Sequence, residues 1–269
     1  MKMDHKTFVV IQWNVSLKSN PVLVFDLLKY TLQHNNGIVC LQEVREECYD
    51  YLINQNYFTD SAYSLNIRKP GKNEGINRKM GVTVLTKGSR IESSQTLERS
   101  LFPERTLYVN LRYAEEEINV VTFHSLTGIG YKKAKSANFA AIADFLEEHD
   151  EHIDFVCCDM NEPYKDSLEE TKLEFFDNGD KGRNASLILG INKVHTKNDG
   201  YITYLKEKNI AVNKQPLAVS HIANGEKRRY DYILHSKKWK PVNLEYKYKE
   251  GIKHSSDHAL VIGLFKKDH

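Results

Sequence analysis

The sequence predicts an α/β protein in which apolar β-strands alternate with amphipathic helices. Apolar runs of strand length recur along the chain, and between them lie longer segments with apolar residues at helical spacing. The chain has 269 residues, of which 41% are hydrophobic, so it can bury a sizeable core. A β-rich sandwich of two or four layers is routine at this length. We expect one domain spanning residues 1–269.

The strands are predicted from short apolar or alternating runs bounded by polar and turn-forming residues. These runs cover residues 7–15, 37–44, 81–86, 106–111, 118–123, 153–158, 229–234 and 259–265. Helices are predicted over residues 21–34, 46–54 and 134–149. The signal is poor between residues 164 and 220, where residues 201–209 fit either a short helix or a strand.

The charge of the chain is nearly balanced, with 38 basic and 36 acidic residues. A polyanion would therefore have to bind through local patches and not through the overall charge. Basic patches occur at residues 68–72 with 78–79, 131–135, 227–229 and 237–240. Each patch alone could equally be an ordinary solvated surface.

The four cysteines lack the spacing of metal ligands, and Cys40 and Cys157 lie inside apolar runs that predict buried thiols. The apolar segment near the N-terminus is too short to span a membrane and fits a strand better than a secretion signal. A cytoplasmic location without membrane insertion is therefore the default prediction. Nothing indicates an oligomer or an obligate protein partner, which makes a monomer the default as well.

Eight polar residues stand at, or just after, predicted apolar strands. They are Asn14, Glu43, His124, Asp159, Asn161, Asp231, Asp257 and His258. Each has an ordinary explanation when taken alone: a Glu can favour a following helix, a His can be a core residue, and Asp and Asn can form a turn before a Pro. Their joint occurrence predicts that converging strand ends bring them into one cleft.

In this order the residues resemble the endonuclease/exonuclease/phosphatase superfamily, the DNase I-like fold. The matching segments are residues 12–15, 41–44, 122–124, 159–161, 229–232 and 256–258, so the resemblance spans nearly the whole chain. It implies a four-layer sandwich of two mostly antiparallel β-sheets flanked by helices. It also implies an active site where both sheets present their loops.

Within the superfamily, the sequence is more similar to the DNase I and sphingomyelinase branches than to the apurinic-site repair branch, which usually has a tyrosine at the position of His124. The resemblance implies phosphate or DNA contacts for Arg45 and Arg105, although both could be ordinary surface charges. Two features depart from the expected pattern. Cys158 replaces the glycine that is common before the Asp-x-Asn motif, and nothing resembles the leader or the disulfide pattern of secreted DNases.

The resemblance implies a metal site of Glu43 and Asp257, with Asn14 nearby. Hard oxygen ligands suit Mg²⁺ or Mn²⁺ better than zinc. His258, oriented by Asp231, would act as general base, and His124 would protonate the leaving group or hold a phosphate oxygen. Sequence alone does not decide which imidazole is the acid.

Two further residues complete the expected site. Asp159 would orient the attacking water or join the metal site, and Asn161 would donate its amide to a non-bridging oxygen.

The first functional hypothesis is a metal-dependent DNA endonuclease that hydrolyses phosphodiesters. The alternative within the superfamily is a phosphatase or phospholipase acting on a phosphoinositide or sphingomyelin, which the near-neutral charge favours. A third hypothesis is an inactive binding module on the same scaffold. It is disfavoured because every expected catalytic residue type is present.

Overall fold

Two six-stranded β-sheets pack face to face in the structure, a computed structural model that describes residues 7–131, 133–161, 166–169 and 197–268. Most neighbouring strands are antiparallel, and the parallel pairs are the first with the second and the seventh with the eighth. The predicted α/β sandwich of two mostly antiparallel sheets is therefore confirmed.

The described strands, numbered in chain order, are β1 (Thr7–Asn14), β2 (Gly37–Val44), β3 (Asp60–Tyr63), β4 (Gly81–Lys87), β5 (Arg90–Gln95), β6 (Thr106–Tyr113), β7 (Glu116–His124), β8 (Phe155–Asp159), β9 (Asn198–Asp199), β10 (His221–Ala223), β11 (Glu226–Arg228), β12 (Asp231–His235), β13 (Trp239–Lys247) and β14 (Leu260–Lys267). Sheet 1 has the order β13-β14-β1-β2-β4-β3, and sheet 2 has the order β5-β6-β7-β8-β12-β9. Strands β10 and β11 form a separate hairpin.

The described helices are α1 (Pro21–Leu32), α2 (Glu46–Asn54), α3 (Ser64–Ile67), α4 (Gly128–Tyr131), α5 (Lys133–Glu148), α6 (Gly200–Glu207) and α7 (Tyr248–Lys253). Helix α1 begins where the sequence predicts, because the Asn20 side chain accepts a hydrogen bond from the Val22 amide and Pro21 occupies the first turn.

Three apolar clusters separate the layers. The central cluster fills the space between the sheets with residues such as Phe8, Leu107 and Phe155. A second cluster lies between sheet 1 and the helices α1 and α2, and a third lies between sheet 2 and α5. Two sheets with helices packed on both outer faces make the four layers that the resemblance implied.

Several strands were not predicted from the sequence. Strand β5 is largely exposed and polar, so it has no apolar run to detect. Strand β13 contains Pro241 at a register shift, and its first residues belong to the lysine-rich run 237–240 that was interpreted as a basic patch. Most of the region between residues 164 and 220, where the signal was poor, lies outside the described residues. Within it, residues 201–209 fall mainly in helix α6.

All four cysteines are free and buried, as predicted for Cys40 and Cys157. No helix in the described part of the chain is both long and apolar enough to cross a membrane. The single domain, the monomer and the cytoplasmic location remain predictions.

Candidate active site

The candidate site lies at the edge of the sandwich where strands of both sheets end. In sheet 2, His124 at the end of β7 is in register with Asp159 at the end of β8. Asp159 in turn pairs with Asp231, the first residue of the antiparallel strand β12. Strand pairing alone therefore places one imidazole and two carboxylates side by side.

Sheet 1 contributes the opposite wall. Asn14 ends β1, and Glu43 lies near the end of the parallel strand β2. His258 lies just before β14, the other neighbour of β1, and Ser256 fastens this segment by donating its hydroxyl proton to the Asn14 carbonyl over 2.6 Å. All eight predicted residues thus belong to elements that meet at this edge.

The backbone of Glu43 is unusual, with φ at 57° inside a register shift between β2 and β4. A glutamate rarely adopts this left-handed conformation, and such strain is concentrated at functional sites. Its Oε2 accepts the amide proton of Leu17 at 3.0 Å, and the Glu43 side chain is 22% exposed. The carboxylate is therefore held in place and open to a ligand.

Asn14 links the two sheets. Its Nδ2 donates to Asp159 Oδ2 at 2.9 Å and to Glu43 Oε1 at 3.3 Å, while its Oδ1 accepts from the Ser16 amide. One amide group therefore sets the spacing between the carboxylates of the two sheets.

His124 occupies one half of the site. Its Nε2 lies 3.6 Å from Glu43 Oε1 and 3.7 Å from Asp159 Oδ2, and it accepts a hydrogen bond from Asn161 Nδ2 at 3.0 Å. The second proton of this amide goes to the Ser125 carbonyl. Both amide protons of Asn161 are thus engaged within the protein, so in this arrangement Asn161 orients His124 and does not offer a free donor to a substrate oxygen.

His258 occupies the other half. Its Nδ1 lies 2.8 Å from Asp231 Oδ2, and its Nε2 lies 3.8 Å from Asp159 Oδ2. The predicted His258–Asp231 pair is therefore present, although its catalytic role remains a prediction. Asp159 stands between the two imidazoles, within 4 Å of each.

The two imidazoles differ in protonation. Burial lowers the pKa of His124 far below its usual range, and the charges of Arg105 and His258 lower it further. Burial also acts to lower the pKa of His258, but the carboxylates of Asp231 and Asp159 outweigh it and raise that pKa to about 10. Burial raises the pKa of Asp159 to about 7, against the opposing effect of His258. At neutral pH, His258 is an imidazolium and His124 is neutral.

A buried polar network that the sequence analysis missed supports Asp231. Gln12 Nε2 donates to Asp231 Oδ1 at 3.0 Å, and Gln42 Nε2 donates to Gln12 Oε1 and to Thr122 Oγ1. Gln12, Gln42 and Asp231 are fully buried, which is costly unless such groups are hydrogen-bonded. The sequence feature that could have indicated this network is the presence of two glutamines inside apolar strands.

The two predicted phosphate-contacting arginines lie in different surroundings. Arg45 immediately precedes α2 and forms an exposed ion pair with Glu47 at 3.6 Å, as expected for a surface charge. Arg105 is only 4% exposed, and it lies beside the site because its neighbour Thr106 pairs with Phe123. Phosphate contact remains a prediction for both.

Other basic residues of the predicted patches serve the fold. Arg229 is buried and bridges Asp166 and Asp199 at 2.7 and 2.8 Å. Lys135 is also buried and donates to the Asn161 carbonyl at 3.0 Å, so it helps to fix the backbone of Asn161. In the run 131–135, Lys132 lies outside the described residues. Patch composition alone did not distinguish buried from exposed cations.

His221 is a further residue at the site that sequence reasoning missed. Its ring stacks on His258 with the centroids 4.4 Å apart, and its Nδ1 donates to the Asp257 carbonyl at 3.0 Å. Ligand atoms of His221, Asp257 and His258 lie within 4.8 Å of one another. Asp257 itself is exposed and belongs to this outer group of ligand atoms.

The donor set fits a hard divalent cation. Asp159, Asp231 and His258 also place ligand atoms within 4.8 Å of one another, but protonated His258 is not a ligand, which leaves the carboxylates. The Glu43 carboxylate lies 3.6 Å from His124 Nε2. Among the described residues, His124 is the one basic residue within 4 Å of the Glu43 carboxylate, and its low pKa keeps it neutral. Among the described residues, the Glu43 carboxylate therefore has no charged basic group within 4 Å, as expected for a carboxylate that binds a metal.

Comparisons with known proteins identify the architecture. No protein-family model and no curated protein sequence matches the chain. Among solved structures, D. rerio TDP2 complexed with single-strand DNA product is similar with a TM-score of 0.63 and 14% identity, covering 97% of this chain and 99% of that one.

Two other solved structures are similar over almost the whole chain. ANGEL2, a 2',3'-cyclic phosphatase in complex with adenosine-2',3'-vanadate, has a TM-score of 0.66 and 16% identity, covering 98% of this chain and 96% of that one. An endonuclease/exonuclease/phosphatase family protein from Bacteroides thetaiotaomicron has a TM-score of 0.58 and 15% identity, covering 98% of each chain. Placement near the DNase I branch remains a prediction. The chain has the DNase I-like fold of the endonuclease/exonuclease/phosphatase superfamily.

Proposed function

We propose that this protein is a divalent-metal-dependent phosphoester hydrolase whose substrate is a nucleic acid, with DNA as the first candidate. The observation that carries the proposal is the position of Asp159 between two imidazoles of opposite protonation, His124 and His258. A phosphodiester needs an activated water, charge stabilisation and a protonated leaving oxygen, and this site offers a group for each.

Glu43 and Asp257 are the carboxylates that would hold Mg²⁺ or Mn²⁺, with the Asn14 side chain hydrogen-bonded to Glu43. When bound, the metal would supply positive charge for the phosphoryl oxygens and the leaving oxygen. The oxygen-rich donor set supports this choice over zinc.

The pKa order supports a different division of roles from the one predicted. His258 carries a proton at neutral pH, so it is suited to donate a hydrogen bond or a proton to the substrate. Asp159, with its pKa near 7, is suited to accept the proton of the attacking water. Neutral His124, held by Asn161, completes the wall that faces the phosphate.

Arg105 supports an anionic substrate, because it is a buried cation beside the site. The fold similarity to a TDP2 structure with a single-strand DNA product supports nucleic acid as the substrate class. The alternative, a phosphatase or phospholipase acting on a small phosphoester, is supported by the net charge of +2 and by the engagement of Arg229 and Lys135 within the fold.

Incubation of the purified protein with supercoiled plasmid and with a single-stranded oligonucleotide, at low salt with Mg²⁺, Mn²⁺ or EDTA, tests the proposal. We expect cleavage that requires the metal and is lost in His258→Ala. His254→Ala is the matched control, because that histidine lies outside the site and contacts the Glu250 carbonyl.

A cyclic phosphate, a phosphoinositide and sphingomyelin complete the substrate panel. Hydrolysis of one of these without cleavage of nucleic acid would support the alternative. A folded protein that hydrolyses none of the substrates would support the inactive binding module.

A further inference from the structure

A cluster of five side chains borders the candidate active site at Arg105. It consists of Asn77, Arg78, Phe102, Arg105 and Tyr131, and is called the aromatic cluster below. Strand register places Arg105 opposite His124, because the next residue, Thr106, pairs with Phe123. The aromatic cluster is therefore continuous with the wall that would face a phosphate.

Arg105 lacks the partner that a buried cation normally has. It is 4% exposed, and its Nε has no hydrogen-bond partner. Its Nη2 donates to the Asn77 carbonyl at 3.3 Å. No carboxylate in the described part of the chain lies within 4 Å of its guanidinium nitrogens. Because an unpaired buried cation is costly, the position is suited to an anion that the protein itself does not provide.

The rings beside Arg105 are fixed in place. Phe102 and Tyr131 meet edge to face with centroids 5.3 Å apart at 84°, and the Arg105 Cζ lies 5.5 and 5.8 Å from the two centroids. Asn77 Nδ2 donates to the Tyr131 hydroxyl at 3.1 Å, while Arg78 stacks on Phe102 at 4.0 Å. Rings held in this way lose little conformational entropy when a flat ligand binds.

The acid adjacent to Arg105 in sequence does not compete for a ligand. Glu104 is fully buried and is paired with Arg78 at 2.6 Å and with Arg68 at 3.6 Å. Leu101, which precedes Phe102, is 46% exposed, and Ile76, which precedes Asn77, is 66% exposed. The surface at the aromatic cluster therefore combines apolar groups with one buried cation.

We propose that the aromatic cluster is a subsite for an unpaired nucleotide next to the scissile phosphate, with the flanking phosphate on Arg105 and the base on the rings of Tyr131 and Phe102. This inference rests on the proposed function and narrows its substrate class to single-stranded nucleic acid. A flat apolar ring attached to a phosphate matches the chemistry of the subsite. In a duplex, each base is stacked between its neighbours and cannot reach these rings without being flipped out.

Equilibrium binding in EDTA tests the subsite without requiring hydrolysis. Fluorescence anisotropy would compare a labelled oligothymidylate with the same backbone lacking its bases and with a duplex of equal length. The wild-type protein should bind the oligothymidylate about 5- to 150-fold more tightly than the baseless backbone, the range expected for one stacked base. Tyr131→Ala should remove most of this difference, and Tyr131→Phe should preserve it.

Tyr30→Ala is the matched control, because that tyrosine is 73% exposed on α1 and should not affect binding. Asn77→Ala releases the Tyr131 hydroxyl while keeping its ring, and should weaken base-dependent binding less than Tyr131→Ala does. Thermal unfolding of every variant identifies any that fail to fold.

Equal affinity for the base-containing and baseless backbones, or for the duplex and the single strand, would overturn the subsite. So would a Tyr131→Ala variant that folds and loses affinity for both backbones alike. Hydrolysis together with base-independent binding would overturn the subsite alone. Base-dependent binding without hydrolysis of any phosphoester would support the subsite and overturn the proposed function.

Discussion

The two halves of the candidate site bury their imidazoles to nearly the same degree and yet give them opposite charges. His124 is 4% exposed and His258 is 6% exposed. His258 has the Asp231 carboxylate at 2.8 Å, whereas His124 has an amide at 3.0 Å and an arginine nearby. Burial acts to lower both pKa values, so the difference between them comes from the neighbouring groups. The carboxylates of Asp231 and Asp159 outweigh burial at His258, whereas the charges of Arg105 and His258 add to it at His124.

The difference in protonation between His124 and His258 has a chemical consequence. A site with two imidazolium groups would repel a metal, and one with two neutral imidazoles would lack a proton donor. With one of each, and Asp159 between them, the site can give and accept a proton at neutral pH.

The Asp231→Asn substitution is expected to have the largest effect on the difference between the two imidazoles. Without the carboxylate charge, the pKa of His258 should fall towards that of His124, and the rate of phosphoester hydrolysis should fall by about 10² to 10⁴. Steady-state kinetics measures the rate, and NMR titration of the imidazole protons measures the pKa. Glu250→Gln is a matched control on α7. An unchanged pKa of His258 would show that Asp231 does not determine its charge.

The Arg105→Leu substitution tests the half of the candidate site that contains His124. Removing the arginine charge should raise the pKa of His124, because that charge now lowers it. Loss of a buried cation facing the phosphate should reduce the rate of hydrolysis by about 10² to 10³, comparable to removing one donor from an oxyanion site. Arg45→Leu is the control, since its exposed pair with Glu47 should contribute less than about 1 kcal/mol. Similar losses in both variants would contradict the distinction between the two arginines.

The smallest expected effect concerns how the free energy of unfolding depends on pH. The folded pKa of His258, about 10, exceeds its ordinary value of 6.5, so its stabilisation is complete below pH 6.5 and declines as the pH rises towards 10. The destabilisation of His258→Gln should therefore be about 2 kcal/mol smaller at pH 8 than at pH 6.

The depressed pKa of His124 has the opposite consequence. Below pH 6.5 the unfolded chain binds a proton that the folded protein does not, so wild-type stability falls with acidification. His124→Gln should lose less stability than wild type between pH 7 and pH 5, by about 1 to 2 kcal/mol. Urea unfolding at these pH values measures both variants. Parallel pH profiles would contradict the opposite protonation of the two imidazoles.

The positions of the predicted site residues follow from the sequence where a strand combines an apolar body with a polar residue at or beside one of its ends. Strands β1, β2, β7, β8, β12 and β14 have such bodies, and they carry or border every predicted catalytic residue. Because their ends meet at one edge, the motif residues could be placed in one cleft before any distance was known.

The other features of the candidate site could not be predicted, because they depend on contacts between residues far apart in the chain. The pairing of Gln12 with Asp231 spans 219 residues, and the stacking of His221 on His258 depends on the isolated bridge between those two residues. The protonation of His258 could not be assigned either, because it results from opposing effects of burial and neighbouring charge.

The hydrogen bond from Gln12 to Asp231 joins a strand of one sheet to a strand of the other at the candidate site. Any sliding of one sheet over the other would change this distance together with the separation of the Asn14 amide from Asp159. Substitutions deep in the central cluster, such as at Phe8 or Phe155, could therefore alter turnover without touching the site. An engineer seeking greater heat tolerance should screen variants of that interior for reaction rate as well as for melting temperature.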